Sequence, residues 1–142
     1  MTQHKQHVTE VLEIIFQWDK ALRTLERKFN KEFDLTLNQC RLILYIHDKN
    51  YVELSQVHKW LNIDKSTTTR MIRPLLVNGY IDKFYQFGDK RKIYLKISEK
   101  GMDNVTVIKN EFDQLAYTSL LKVPAGKRDF TFQTVREFLK II

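Results

Sequence analysis

Along the first segment, roughly residues 5 to 33, apolar residues recur at alternating steps of three and four: Val8, Val11, Ile15, Trp18, Leu22, Leu25 and Phe29. That spacing predicts a long helix whose a/d seam packs along another helix. Leu12, Ile14 and Phe16 widen the apolar surface beyond one stripe. Such a helix needs more than one neighbour, and a partner subunit is one way to supply it. Residues 36–48 predict a second helix, capped by Thr36 or Asn38 and buried through Leu37, Ile43, Leu44 and Ile46. A short helix follows with Leu54, Val57 and Leu61 at helical spacing. After the polar turn Asn62-Ile63-Asp64, either Asp64 or Ser66 caps the next helix, which ends at Gly79.

Beyond Gly79 the period changes from helical to two. Ile81, Lys83, Tyr85 and Phe87 alternate with Tyr80, Asp82, Phe84 and Gln86. Ile93, Leu95 and Ile97 alternate with Lys92, Tyr94 and Lys96. Joined around Gly88-Asp89-Lys90-Arg91, these segments predict a β-hairpin with a basic tip. From Ser98, a candidate N-cap, helical spacing returns, with Val105, Ile108, Phe112, Leu115 and Ala116 as the buried stripe. Pro124 suits the start of a last helix with Val135, Phe138, Leu139 and Ile142 on its apolar face. The expected class is mainly α with a small β-hairpin. Residues 1–142 form one domain, with a winged helix-turn-helix at 36–98 flanked by dimerisation helices at roughly 5–33 and 99–142.

A length of 142 residues suits one domain with one core, and four Gly and two Pro suit a helix-rich globule. The longest apolar run, Leu42 to Ile46, is far short of a membrane span. Met1-Thr2-Gln3-His4-Lys5 lacks the apolar core of a secretory signal. A single cysteine, Cys40, makes no internal disulfide, which agrees with a reducing compartment. A cytoplasmic location is the expectation.

Charge sharpens the picture. The net charge is +7, and residues 65–100 hold nine basic residues against three acidic, an excess of six. Such concentration is the footprint of a face that binds a polyanion, against the plainer reading of a solvated surface. The helix that opens this stretch has the right face. With Ile72 at zero and about 100° per residue, Thr68, Leu75 and Leu76 share its side. Ser66, Arg70 and Arg73 turn away, with Thr67 and Pro74 beyond. Arg offers a fork to guanine, and Ser and Thr serve bases or phosphates. Lys65, at the helix start, suits phosphate. The hairpin adds Lys90, Arg91 and Lys92, with Asp89 placed to fix Arg91 through a charge-assisted hydrogen bond.

At these residues the chain resembles the MarR family of bacterial transcriptional regulators. The strings are Leu35-Thr36-Leu37-Asn38-Gln39, Asp64-Lys65-Ser66-Thr67-Thr68-Thr69-Arg70, Asn78-Gly79-Tyr80-Ile81, Asp89-Lys90-Arg91-Lys92 and Leu95-Lys96-Ile97-Ser98-Glu99-Lys100-Gly101. The resemblance implies a homodimer built from the terminal helices, a recognition helix in each of two successive major grooves, and a wing in the flanking minor groove. It carries Ser66, Thr67 and Arg70 over as base readers and Asp89 and Arg91 as the wing pair. The family more often has Asp-Arg-Leu where this chain has Arg73-Pro74-Leu75. Pro74 removes a backbone donor to the Arg70 carbonyl and should bend the helix. Relatives often bind a small aromatic effector, and Phe16, Trp18, Phe33, Tyr45 and Trp60 are candidates to line such a pocket. Core packing is the default for aromatics at helical spacing, and no ligand is assigned.

Other features point to less. Cys40 lies in an apolar stretch, where a buried inert thiol is the default. His4 and His7 have the spacing of a metal pair without a third ligand, and His47 and His58 fall in different elements. No metal, cofactor or catalytic centre is expected, since no phosphate loop, Ser/His/Asp order or HExxH string occurs. The reading is a homodimeric, sequence-specific regulator, most simply a repressor, on a pseudo-palindromic double-stranded DNA operator. Its rivals are a winged-helix adaptor that binds protein and a sensor acting mainly through the aromatic pocket or Cys40.

Overall fold

A computed structural model describes residues 2–140. Met1 and Ile142, both used in the sequence reading, lie outside the described residues. Six helices and three strands run in the order α1 (Thr2–Phe33), α2 (Leu37–Lys49), β1 (Val52–Glu53), α3 (Leu54–Leu61), α4 (Lys65–Val77), β2 (Ile81–Gln86), β3 (Asp89–Ile97), α5 (Glu99–Leu121) and α6 (Arg128–Leu139). A 3-10 turn, Ala125–Lys127, precedes α6. The chain divides into two compact units, Met1–Ile108 and Lys109–Ile142.

The core of the first unit is drawn from every element. Phe29, Leu35, Leu42, Ile43, Ile46, Val57, Leu75, Ile81, Leu95 and Ile108 are all essentially inaccessible to solvent. Burial of this kind is the main favourable term in folding. The seam of α1 meets this core only at its C-terminal end. Leu25 and Phe29 are buried, while Val8, Ile15, Trp18 and Leu22 are exposed and Val11 is half-buried. The apolar stripe is there as expected, but one chain leaves most of it uncovered. In α2, Ile43 and Ile46 are buried as expected, Leu37 and Leu44 only half so. Leu42 and Cys40, outside the expected set, are fully buried.

Caps fix where the helices begin and end. Of the two candidates for α2, Thr36 is the cap. Its hydroxyl accepts from the Gln39 amide at 3.2 Å, and the Gln39 side chain accepts from the Thr36 amide at 2.9 Å, a capping box. Asp64 caps α4 by accepting from the Thr67 amide at 2.8 Å. At the far end, Gly79 (φ +75) closes α4 in a Schellman turn: its amide donates to Leu76, and that of Tyr80 to Leu75. Ser98 starts α5, its hydroxyl accepting from the Gly101 amide at 2.8 Å.

The sheet is antiparallel with strand order β1-β3-β2. Strand β1 has only two residues, Val52 opposite Leu95 and Glu53 opposite Tyr94. Two residues carry no readable period, so this strand was not expected. The hairpin differs from the expected one at its tip. The turn is Phe87-Gly88, and Asp89 already belongs to β3. Gln86 faces Asp89 but Tyr85 faces Ile93, so Lys90, Arg91 and Lys92 have no counterpart on β2 and form a bulge. Positive φ at Gly88 permits the tight turn that moves the strand start forward. On one face, Phe84 lies opposite Tyr94 with ring centroids 5.5 Å apart, and Tyr51 meets both edge-on.

Helix α5 buries Val105 and Ile108, but of the remaining expected stripe Phe112 and Leu115 are half-buried and Ala116 is exposed. In the second unit, α6 has no buried residue among those described. Its Phe130, Phe132, Val135, Phe138 and Leu139 all stand exposed.

Candidate nucleic-acid interface

The cap of α4 organises the face expected to read bases. Asp64 accepts from three donors: the Ser66 hydroxyl at 2.6 Å, the Thr67 hydroxyl at 2.6 Å and the Thr67 amide at 2.8 Å. The Ser66 and Thr67 bonds hold its carboxyl well below the usual carboxylate range. Thr68, one step on, is buried and donates its hydroxyl back to the Asp64 carbonyl at 2.9 Å. Lys65, Ser66, Thr69, Arg70 and Arg73 are exposed and Thr67 is half-buried. Arg70 donates to the Thr67 hydroxyl oxygen at 3.4 Å. The helix therefore shows solvent a row of hydroxyls and guanidinium groups along its N-terminal turns, as the 100° rotation predicts.

Pro74 sits inside α4, and the helix continues through it to Val77. It withholds a donor from the Arg70 carbonyl. One residue on, the Met71 carbonyl accepts from the Gln39 side chain at 3.0 Å. Gln39 is a buried polar residue that joins the start of α2 to the middle of α4. Sequence periodicity gave no sign of this brace, because a polar side chain on a helix looks the same whether it meets solvent or a distant backbone carbonyl.

On the wing, Asp89 holds Arg91 at three points: the backbone amide at 2.9 Å, Nε at 3.1 Å and Nη2 at 3.3 Å. The Arg91 bonds also lower the Asp89 carboxyl from its ordinary value. The Arg91 side chain is nevertheless 90% exposed, so the fork is aimed without being covered. Lys90 is exposed. Lys92 differs, since its Nζ lies 3.5 Å from Glu53 on β1. A hydrogen bond from Ser55, helped by Lys92, lowers the Glu53 carboxyl. Glu53 thus ties the base of the wing to the start of α3.

These parts meet around a cleft of about 280 Å³ between α3, the N-terminal end of α4 and β3. Its lining is Lys65, Thr68 and Thr69 from α4, Arg91, Lys92 and Ile93 from β3, and Glu53, Leu54, Ser55 and His58 from β1 and α3. Lys65, Arg91 and Lys92, far apart in sequence, are brought together here. Glu53, His58 and Thr69 were not among the expected site residues. Their only sequence signal was proximity to the helix-turn-helix.

The aromatic candidates are not gathered in the same way. Tyr45 and Trp60 stack at 4.0 Å between ring centroids, with the Arg41 guanidinium 5.5 Å from the Trp60 ring. Phe33 meets Phe29 at 6.3 Å. Phe16 and Trp18 stand exposed on α1. Cys40 is fully buried, and burial pushes its thiol up to about 12. Among the described residues there is no cluster of His, Cys, Asp or Glu that would hold a metal, and no helix long and apolar enough to cross a membrane.

Helix, turn, helix and a two-stranded basic wing define a winged helix-turn-helix protein. Residues 24–108 match the family model described as transcriptional regulator SarA/Rot, and the chain belongs to that family of transcriptional regulators. It is 31% identical over 101 residues to the HTH-type transcriptional regulator BilQ of Clostridioides difficile, covering 71% of this chain and 68% of that protein. Among solved structures, Streptococcus pneumoniae FabT in complex with DNA superposes with a TM-score of 0.80 at 20% identity, over 96% of each chain. A mutant of MarR from E. coli, complexed with operator DNA, gives 0.73 at 18% identity over 93% of each. The likeness to MarR read from the sequence holds for the fold.

Proposed function

We propose that the chain acts as a homodimer that binds a pseudo-palindromic DNA duplex site-specifically and most simply represses transcription from it. The observation that carries the reading is an exposed hydroxyl and guanidinium face on α4 together with an aimed Arg91 on the wing, with Lys65 at the start of α4 and Arg91 lining one cleft. In this reading Ser66, Thr67, Arg70 and Arg73 address bases in the major groove. Lys65 meets phosphate, and Asp89, Lys90, Arg91 and Lys92 serve the flanking minor groove. FabT and MarR, which share the fold, were solved with DNA bound.

The uncovered seam of α1 and the uncovered apolar face of α6 support dimerisation, each being more apolar surface than a lone helix keeps in water. Residues 1–142 then act as one functional domain, with 36–98 as the DNA-binding part and the terminal helices as the dimer part. The protein works in the cytoplasm, beside its DNA, and carries no catalytic centre of its own. Half-sites lie about 10 base pairs apart, one helical turn. Fluorescence anisotropy against a duplex from the gene's own upstream region, with a scrambled control and several salt concentrations, tests the reading. Tight, salt-dependent preference for the upstream duplex is the expected result. No binding to either duplex at low salt would refute it and favour an adaptor that binds protein.

A further inference from the structure

The tip of the wing carries a side chain that the fold does not use. Phe87 is 107% exposed, so the folded chain covers none of its ring. It occupies the first turn position, before Gly88 at φ +80, the pattern of a type II turn. Turn positions take Pro, Gly, Asn, Asp or Ser for φ or for local hydrogen bonds. Phenylalanine supplies neither. Directly after the turn come Asp89 and the bulged Lys90, Arg91 and Lys92, three cations against two carboxylates, Asp89 held to Arg91 and Glu53 3.5 Å from Lys92. The tip is therefore a bare aromatic ring set beside a patch of positive charge.

We propose that Phe87 is an apolar wedge that enters the minor groove of the bound duplex and unstacks one base step. This rests on the DNA-binding reading above. The charge selects the partner: a ring flanked by cations suits a polyanion with apolar faces to offer, and base pairs have such faces once a step is opened. Lys90 and Arg91 neutralise the phosphates beside the step while the ring stacks on the exposed base. Steps that open most readily are pyrimidine–purine, TA or CA/TG. Phe87 thus confers sequence preference at the wing position without a single hydrogen bond to a base edge.

The test uses the intact chain. Wild-type protein selects duplexes from a random-sequence pool. The winner is remade with 2-aminopurine at each flanking adenine in turn. The expected result is a rise in fluorescence at one flanking step as wild-type protein saturates the duplex. F87S should bind about tenfold more weakly, within the range of one aromatic–base stack, and give no rise even at saturation. F87L should restore it. Thermal melts of all three should coincide, since the ring packs on nothing. If wild type binds the selected duplex and no position brightens, or F87S matches wild type in both readouts, the wedge is wrong and DNA binding stands. If wild type enriches no duplex at low salt, the DNA reading itself fails, and the wedge with it.

Discussion

Asp64 grips Thr67 twice, accepting from its backbone amide at 2.8 Å and from its hydroxyl at 2.6 Å. The Ser66 hydroxyl is held by the same carboxylate. A hydroxyl has one proton to give, so each side chain has only lone pairs left to offer, one of Thr67's already accepting from Arg70 at 3.4 Å. In the proposed complex they accept from adenine N6 or cytosine N4 and do not donate to phosphate. Selection from a random pool should therefore enrich amino-bearing bases where these residues reach. D64A frees the protons, and its selected site should lose that preference.

The same carboxylate gives a pH signature. Asp64 holds its proton less tightly in the fold than in the unfolded chain. Its stabilising contribution is then fully present above the unfolded carboxylate value, about 3.9, and is lost as pH falls through the lower folded value. D64A should melt roughly 3 °C lower than wild type near neutrality, as the loss of a helix cap requires. That gap should stay constant from about pH 8 to 5 and shrink below about pH 4. A gap that instead widens in acid would mean Asp64 acts by some route other than accepting hydrogen bonds.

Arg70 and Lys90 should fail in different ways. In the proposed complex Arg70→Ala removes a fork at a base edge, so preference for the selected duplex over scrambled DNA should fall by roughly tenfold or more. In the same proposed complex Lys90→Ala removes a phosphate contact, so affinity should drop evenly for both duplexes and the log–log salt slope should decrease by about one. Anisotropy titrations at four salt concentrations separate the two. Equal losses of specificity in both variants would show that Lys90, too, reads sequence.

Gly101 is held to glycine by its surroundings. A Cβ there would stand 2.0 Å from the Tyr80 carbonyl oxygen and 3.0 Å from the Ile97 side chain. Tyr80 itself is fixed, since its carbonyl accepts from the Ser98 amide and its amide closes the Schellman turn of α4. Gly101→Ala must push α5 away from the turn that closes α4, at a cost of about 2–3 kcal/mol. Urea denaturation measures this. An unchanged midpoint would mean the junction is far softer than its packing implies.

Cys40 decides the redox alternative. Its thiol is buried, and its raised value keeps it protonated at neutral pH. A thiol reagent should label it only as fast as the protein unfolds. Rapid native-state labelling would restore oxidation as a candidate signal.

Much of the site was legible because its chemistry is local. A cap at Asp64 or Ser66, an exposed start of α4 carrying Lys65, Ser66 and Arg70, and Asp89 two residues before Arg91 all follow from spacing along one element; the structure chose Asp64 as the cap. Gln39 reaching Met71 and Glu53 reaching Lys92 were not legible, as each joins residues tens of positions apart. The aromatic candidates show the same divide. Tyr45 and Trp60 meet, while Phe16 and Trp18 stand exposed on α1, because helical spacing says which face a ring occupies but not what lies opposite.

Periodicity and caps alone thus determined the helices, the hairpin, the basic quarter of the chain and the outward face of α4. These depend on the 3.6 and 2.0 residue repeats and on hydrogen bonds within a few residues. Tertiary structure decided the two-residue β1, the bulge that lifts Lys90, Arg91 and Lys92 out of the ladder, and the cleft where α4 meets the wing. It also decided that Gly101 admits no side chain. Each of these depends on which distant backbone comes within a few ångströms, and that is settled only when the core closes around Phe29, Ile46, Leu75 and Leu95.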